Sequence, residues 1–151
     1  MQIATDRFGL LQVDEDRILK IKGGLLGFSH LERYMIIDLP ENPFFHWLQA
    51  LDDPAVAFLL VDPFVFVRDY QVELKPEWQA ELMLKTAADA VVYTIVSIPP
   101  EGIAAAVTNL LGPLVFNVHQ GLGMQVVLEN VSYSLRHPLF ARKREEKGEA
   151  G

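Results

Sequence analysis

The sequence has no cysteine in its 151 residues. This removes disulfides, thiolate metal sites and thiol nucleophiles together, and it fits a protein of the reducing cytoplasm. Long apolar runs are missing too. Ala55 to Val61 and Phe64 to Val67 are split by Asp62 and Pro63, whereas a membrane helix needs about 20 apolar residues. The opening Met1-Gln2-Ile3-Ala4-Thr5-Asp6-Arg7 lacks the basic start and apolar stretch of a secretory signal. The expected location is therefore cytoplasmic, with no membrane span and no export.

Positive charge is scarce. Thirteen Lys and Arg stand against twenty Asp and Glu, a formal charge of −7. The last ten residues, Arg142 to Gly151, hold four of those bases and three of the acids. The body is left with nine basic and seventeen acidic side chains, or −8. A protein that grips nucleic acid needs cationic surface against the phosphates, so direct nucleic-acid binding is not expected. An acidic body suits a basic protein partner, or plain solubility.

Catalytic signatures are also lacking. His30, His46, His119 and His137 are far apart in sequence, and none belongs to a His-x-x-x-His zinc pattern. No Gly-x-Ser-x-Gly elbow occurs. Gly23-Gly24-Leu25-Leu26-Gly27 and Gly121-Leu122-Gly123 lack the Gly-Lys-Ser/Thr ending of a phosphate loop and read as turns, where glycine tolerates positive φ. Asp14-Glu15-Asp16 and Asp52-Asp53 lack the spaced ligands of a calcium loop. No enzyme activity, cofactor or metal is expected.

What is present is half hydrophobic and about a fifth charged, the balance of a folded globular chain of single-domain size. One domain is expected over residues 1–141, followed by a charged tail over 142–151 with no apolar periodicity, expected to be mobile. Leu19 and Ile21 alternate with Arg17, Lys20 and Lys22, the pattern of a half-buried strand ending at Gly23-Gly24. Met35 to Leu39, Phe44 to Leu51, Ala55 to Val61, Val65 to Val67, Ala90 to Ile98, Leu114 to Val118 and Met124 to Leu128 read as further strands between Pro, Gly and Asp punctuation. Pro76 to Lys85 reads as a short surface helix with Pro at its first position and Trp78, Leu82 and Lys85 on one face. Ile103 to Leu111 is ambiguous between helix and strand. The class is mainly β, a sandwich or barrel with one or two short helices.

Phe44-Phe45-His46-Trp47 and Phe64-Val65-Phe66 place rings on both faces of their segments. Core packing is the first reading of such rings, and a hydrophobic partner patch the second. A stacking platform for single-stranded RNA needs basic neighbours. Only Arg68 is near in sequence, against Asp52, Asp53, Asp62 and Asp69.

The order of several short motifs resembles the FliW family of flagellar assembly factors. Gly24-Leu25-Leu26-Gly27-Phe28 is similar to the family's Gly-Leu-Pro-Gly-Phe turn, and His46 to Pro54 to its Trp-Leu-Gln-Ser-x-Asp-x-Pro stretch. Val61-Asp62-Pro63, Asp69-Tyr70, Ile95 to Pro99, Thr108 to Asn117 and Gln125 to Leu128 follow in the same order. The likeness runs from about Phe8 to Leu139. Leu26, Ser29 and Gly112 depart from the family's Pro, Glu and Ala at turns.

The resemblance implies a compact antiparallel β-barrel-like fold and a regulator acting by protein binding; nothing in the sequence demands an oligomer, so a monomer is expected. Its implied partners are flagellin and CsrA, the carbon storage regulator that represses flagellin translation. Exposed aromatics at Phe45 and Trp47, with Asp69 and Tyr70, are expected on partner surfaces. Asn109 and Asn117 match family positions, either as partner contacts or as side chains that fix turns by hydrogen bonding. The competing readings are a single-stranded RNA-binding β-barrel and a scaffold β-domain unrelated to flagella.

Overall fold

The computed structural model describes residues 1–140, so the tail expected over 142–151 lies outside the described residues. The strands are β1 Gln2–Thr5, β2 Gly9–Gln12, β3 Leu19–Ile21, β4 Arg33–Asp38, β5 Phe45–Ala50, β6 Ala57–Val61, β7 Val91–Ser97, β8 Val107–Thr108, β9 Leu114–Asn117, β10 Leu122–Gln125 and β11 His137–Pro138. Two short helices, α1 Pro63–Phe66 and α2 Pro76–Glu81, lie between β6 and β7.

Strands β3 to β7 run in sequence as an antiparallel meander, and β10 and β9 continue the sheet beyond β3. The ring closes because β7 also pairs with β9, through Val91↔Phe116, Val92↔Val115 and Tyr93↔Leu114. Seven strands thus make a mixed barrel. The expected antiparallel pairing holds around the barrel except at one seam, where β10 runs parallel to β3 through Leu122↔Lys20 and Gly123↔Ile21. Strands β8 and β11 extend the sheet past the far end of β7.

Alternation along each strand divides the apolar residues between two sides of this wall. Leu19, Ile21, Tyr34, Leu48, Leu60, Leu114 and Phe116 point inward and fill the barrel. Gly123 belongs to the same design: the Phe116 ring occupies the space where a Cβ would stand. Residues of the opposite parity face outward, where irregular segments cover them in three satellite cores. The β1–β2 hairpin and the strand exit at Val13 cover Met35 and Leu51. Phe66 of α1, together with Leu139 and Phe140, covers Phe45, Leu59, Val61 and Val96. The α2 region and the stretch around Leu128 and Tyr133 cover Val115, Val126 and Leu110.

Several sequence expectations are revised. Val65 to Val67 is not a strand, because the Asp62 carboxylate accepts the Phe64 N–H at 3.0 Å and Pro63 opens a helical turn, so α1 forms instead. The expected strand Met124 to Leu128 is shifted: β10 takes in Leu122 and Gly123 and stops at Gln125, leaving Val126 to Leu128 outside it. The expected helix over Pro76 to Lys85 stops at Glu81, and Lys85 is outside it. Its end is a Schellman turn: Met83 N–H bonds Ala80 O at 3.1 Å, Leu84 N–H bonds Gln79 O at 2.9 Å, and Met83 takes φ 55°. The ambiguous stretch splits into a 3₁₀ turn over Ile103–Ala105 and then β8. At Leu26, where the resembled turn carries Pro, the backbone N–H donates to Gln125 Oε1 at 2.9 Å, a bond proline could not make.

Candidate partner-binding surface

The six residues expected at partner contacts fall into two groups. Phe45 and Trp47 lie side by side on the outer face of β5, over the core closed by α1 and Phe140. Phe45 is 8% exposed and packs edge-on against Phe66, with ring centroids 5.6 Å apart, so its expected exposure is corrected. Trp47 is half-buried. Its ring lies under the Arg7 guanidinium at 4.1 Å and meets Phe8 edge-on at 6.1 Å, forming the wall of a shallow groove with Phe58 and the exposed Ile98. A cation over an aromatic face at this separation is an attractive contact.

Tyr70, Asn109 and Asn117 attach to the core beside α2. Tyr70 is 3% exposed, and its hydroxyl donates to Leu110 O at 2.7 Å. Burial, followed by the neighbouring Tyr133, pushes its pKa up. The Asn109 side chain accepts from the Leu111 and Gly112 N–H groups at 3.0 and 2.9 Å, the fixed turn that Asn favours. Buried Asn117 donates to the Leu82 and Met83 carbonyls at 2.9 and 3.2 Å. Asp69 is exposed, and its carbonyl accepts the Tyr133 hydroxyl at 3.4 Å. Of the six, Asp69 alone is exposed; Trp47 and Asn109 are half-buried.

Of the rings that the sequence offered for a partner patch, Phe44 and Phe64 are open to solvent beside the barrel mouth. Phe44 is 45% exposed and Phe64 46%. Asp62 joins them, since its N–H donates to Phe44 O at 3.1 Å while its carboxylate caps α1 at Phe64. Behind this pair, His46 Nδ1 lies 2.9 Å from Asp38 Oδ1, and the His46 ring lies against Tyr93 at 4.9 Å. Burial first, and then the charges of Asp38 and Asp62, raise the Tyr93 pKa. The mouth therefore presents aromatic rings beside carboxylates. A signal for it existed in the sequence: Phe44 and Phe64 each adjoin a proline that fixes the local turn.

A second concave feature lies beside α2. The cleft between this helix and strands β3 and β10 is about 570 Å³. Lys20 and Lys22 line one wall, Glu77 and Glu81 the other, and Trp78, Leu122 and Met124 line its apolar surface. Lys22 Nζ reaches Glu81 Oε2 at 3.3 Å.

Among the described residues no group of His, Asp or Glu is placed to hold a metal ion. No described helix is long and apolar enough to cross a membrane.

Comparison with known proteins shows what the chain is similar to. A family model described as FliW protein matches residues 2–139. The flagellar assembly factor FliW of Moorella thermoacetica is 47% identical over 140 residues, covering 93% of this chain and 89% of the relative. That of Natranaerobius thermophilus is 36% identical over 140 residues, with 93% of each covered. A solved crystal structure of the flagellar assembly factor FliW superposes with a TM-score of 0.87 at 31% identity, covering 95% of this chain and 99% of the other.

Proposed function

The chain belongs to the FliW family, a non-enzymatic family of flagellar assembly factors, and we propose that it acts in the cytoplasm by binding two proteins, flagellin and CsrA. Free protein binds CsrA and relieves its repression of flagellin translation. Unsecreted flagellin occupies the same pool and returns CsrA to its messages. The coupling is competition by mass action, since each partner's occupancy depends on the free concentration of the other.

The observation that carries this reading is the pairing of exposed Phe44 and Phe64 with Asp62 at the barrel mouth. Exposed rings rimmed by carboxylates suit a cationic protein surface, with apolar contact supplying affinity and charge steering the encounter. The same carboxylates disfavour RNA nearby, in keeping with a body of formal charge −8 over residues 1–141. Trp47 and Asp69 extend the contact surface, while Phe45, Tyr70, Asn109 and Asn117 shape it from beneath.

The test is a calorimetric titration of the purified chain with flagellin and with CsrA, followed by addition of flagellin to the CsrA complex. Binding of both, with release of CsrA by flagellin, is expected. Binding of neither defeats the proposal, and tight binding of flagellin message by the chain alone favours the RNA-binding alternative.

A further inference from the structure

The cleft between α2 and the barrel has walls of opposite sign. Lys20 on β3 and Lys22 just past its end are both exposed, while Leu19 and Ile21 take the inward face. Glu77 and Glu81 stand one helical turn apart on α2, so they project from the same side toward the cleft. Between these walls the half-buried Trp78, Leu122 and Met124 offer an apolar floor. A methionine and an aromatic ring form a surface that adapts to an incoming side chain.

We propose that this cleft docks the apolar edge of an amphipathic helix whose two flanks carry opposite charge. Its acidic flank faces Lys20 and Lys22, and its basic flank faces Glu77 and Glu81. The occupant is fixed by complementarity, since a helix with flanks of one sign brings like charges against one wall. The Lys22–Glu81 pair spanning the cleft is no obstacle. Its side chains are 74% and 49% exposed, and such pairs hold weakly and exchange partners readily. Lys20 has no ion-pair partner among the described residues. The inference rests on the proposed function only in taking the ligand to be a polypeptide.

Three synthetic helices of about four turns, roughly 14 residues each, provide the probe. All carry one leucine stripe; their flanks are glutamate and lysine, glutamate alone, or lysine alone. Titration into the full chain, followed by NMR at the Trp78 indole N–H and the Met124 methyl, should show the split-flank peptide binding about tenfold tighter than either other. Lys20→Glu should move the preference toward the lysine-only peptide, an inversion that loss of folding cannot imitate. The proposal is overturned if the three peptides bind alike, if they perturb other residues instead, or if Lys20→Glu leaves the ranking unchanged. Should the ranking hold while flagellin and CsrA both fail to bind, the proposed function falls and the cleft assignment stands.

Discussion

The Asn117 side-chain amide, on barrel strand β9, is bonded to the carbonyls of Leu82 and Met83 at the end of α2. This ties an irregular outer segment to the wall of the barrel. The helix end needs the tie because Met83 sits at φ 55°, a conformation that side chains other than glycine adopt at a cost.

Replacing Asn117 by Leu should lower stability by about 1–3 kcal/mol, the cost of stranding buried carbonyls. Asn117→Asp should be worse, since a buried carboxylate would face two carbonyl oxygens. Denaturant midpoints measure both. A loss of partner affinity in Asn117→Ala without any loss of stability would instead make this side chain a direct contact.

Met83→Gly should act in the other direction. Met83 is 59% exposed and contributes little packing, so relief of its backbone conformation should stabilise the protein by about 0.5–1 kcal/mol. A melting temperature unchanged or lowered would show that the turn is not strained.

Two adjacent glycines should respond differently. Gly24 has φ 67°, and an added Cβ would run into the carbonyl oxygens of Phe28 and Leu31; Gly23 has φ 77° with open space around it. Gly24→Ala should cost about 2–5 kcal/mol, combining backbone strain with overpacking, and Gly23→Ala only about 1–2 kcal/mol. Equal thermal shifts would contradict the close approach.

Asp62 both caps α1 and charges the mouth. Asn is an equally good cap, so Asp62→Asn should leave stability within about 0.5 kcal/mol of the parent while weakening CsrA binding about threefold. Asp62→Ala should lose about 1 kcal/mol of stability in addition. Unchanged CsrA affinity in both variants would exclude the mouth from that interface.

Alkaline pH should destabilise the fold through its buried tyrosines. Tyr34 is fully buried, its hydroxyl has no hydrogen-bond partner among the described residues, and burial pushes its pKa from 10.0 to about 12. The unfolded chain therefore releases this proton first, the folded state holds more protons between those values, and stability falls as pH rises from about 10 to 12. Tyr70 and Tyr93 shift the same way. Tyr34→Phe should flatten the decline without lowering stability at neutral pH. Unfolding curves across that range provide the check.

Much of the barrel was legible because its strands bury alternate residues: Leu19 and Ile21, or Leu48 and Ala50, announce an inward face. Less legible were elements decided by a single local bond. Phe64-Val65-Phe66 has strand composition, yet the Asp62 cap makes it helical. The β1–β2 hairpin was missed because Gly9-Leu10-Leu11-Gln12 shows no clean alternation; Leu10 is 73% exposed, and the hairpin is held by covering Met35 and Leu51. For the site, residue type alone could not separate Phe44 from Phe45. Strand parity points Phe45 outward beneath Phe66 and Phe140, whereas Phe44 precedes the strand and stays open at the mouth.

The parallel seam between β3 and β10 also bears on how the protein is made. Lys20 and Leu122 come from opposite ends of the described chain, so the last stitch of the ring waits until both have left the ribosome. Until then β3 and β9 remain open edges, prone to pairing with other chains. Contacts so distant in sequence also slow closure. A nascent chain halted before Leu122 should therefore aggregate, even though most of its strands are already present.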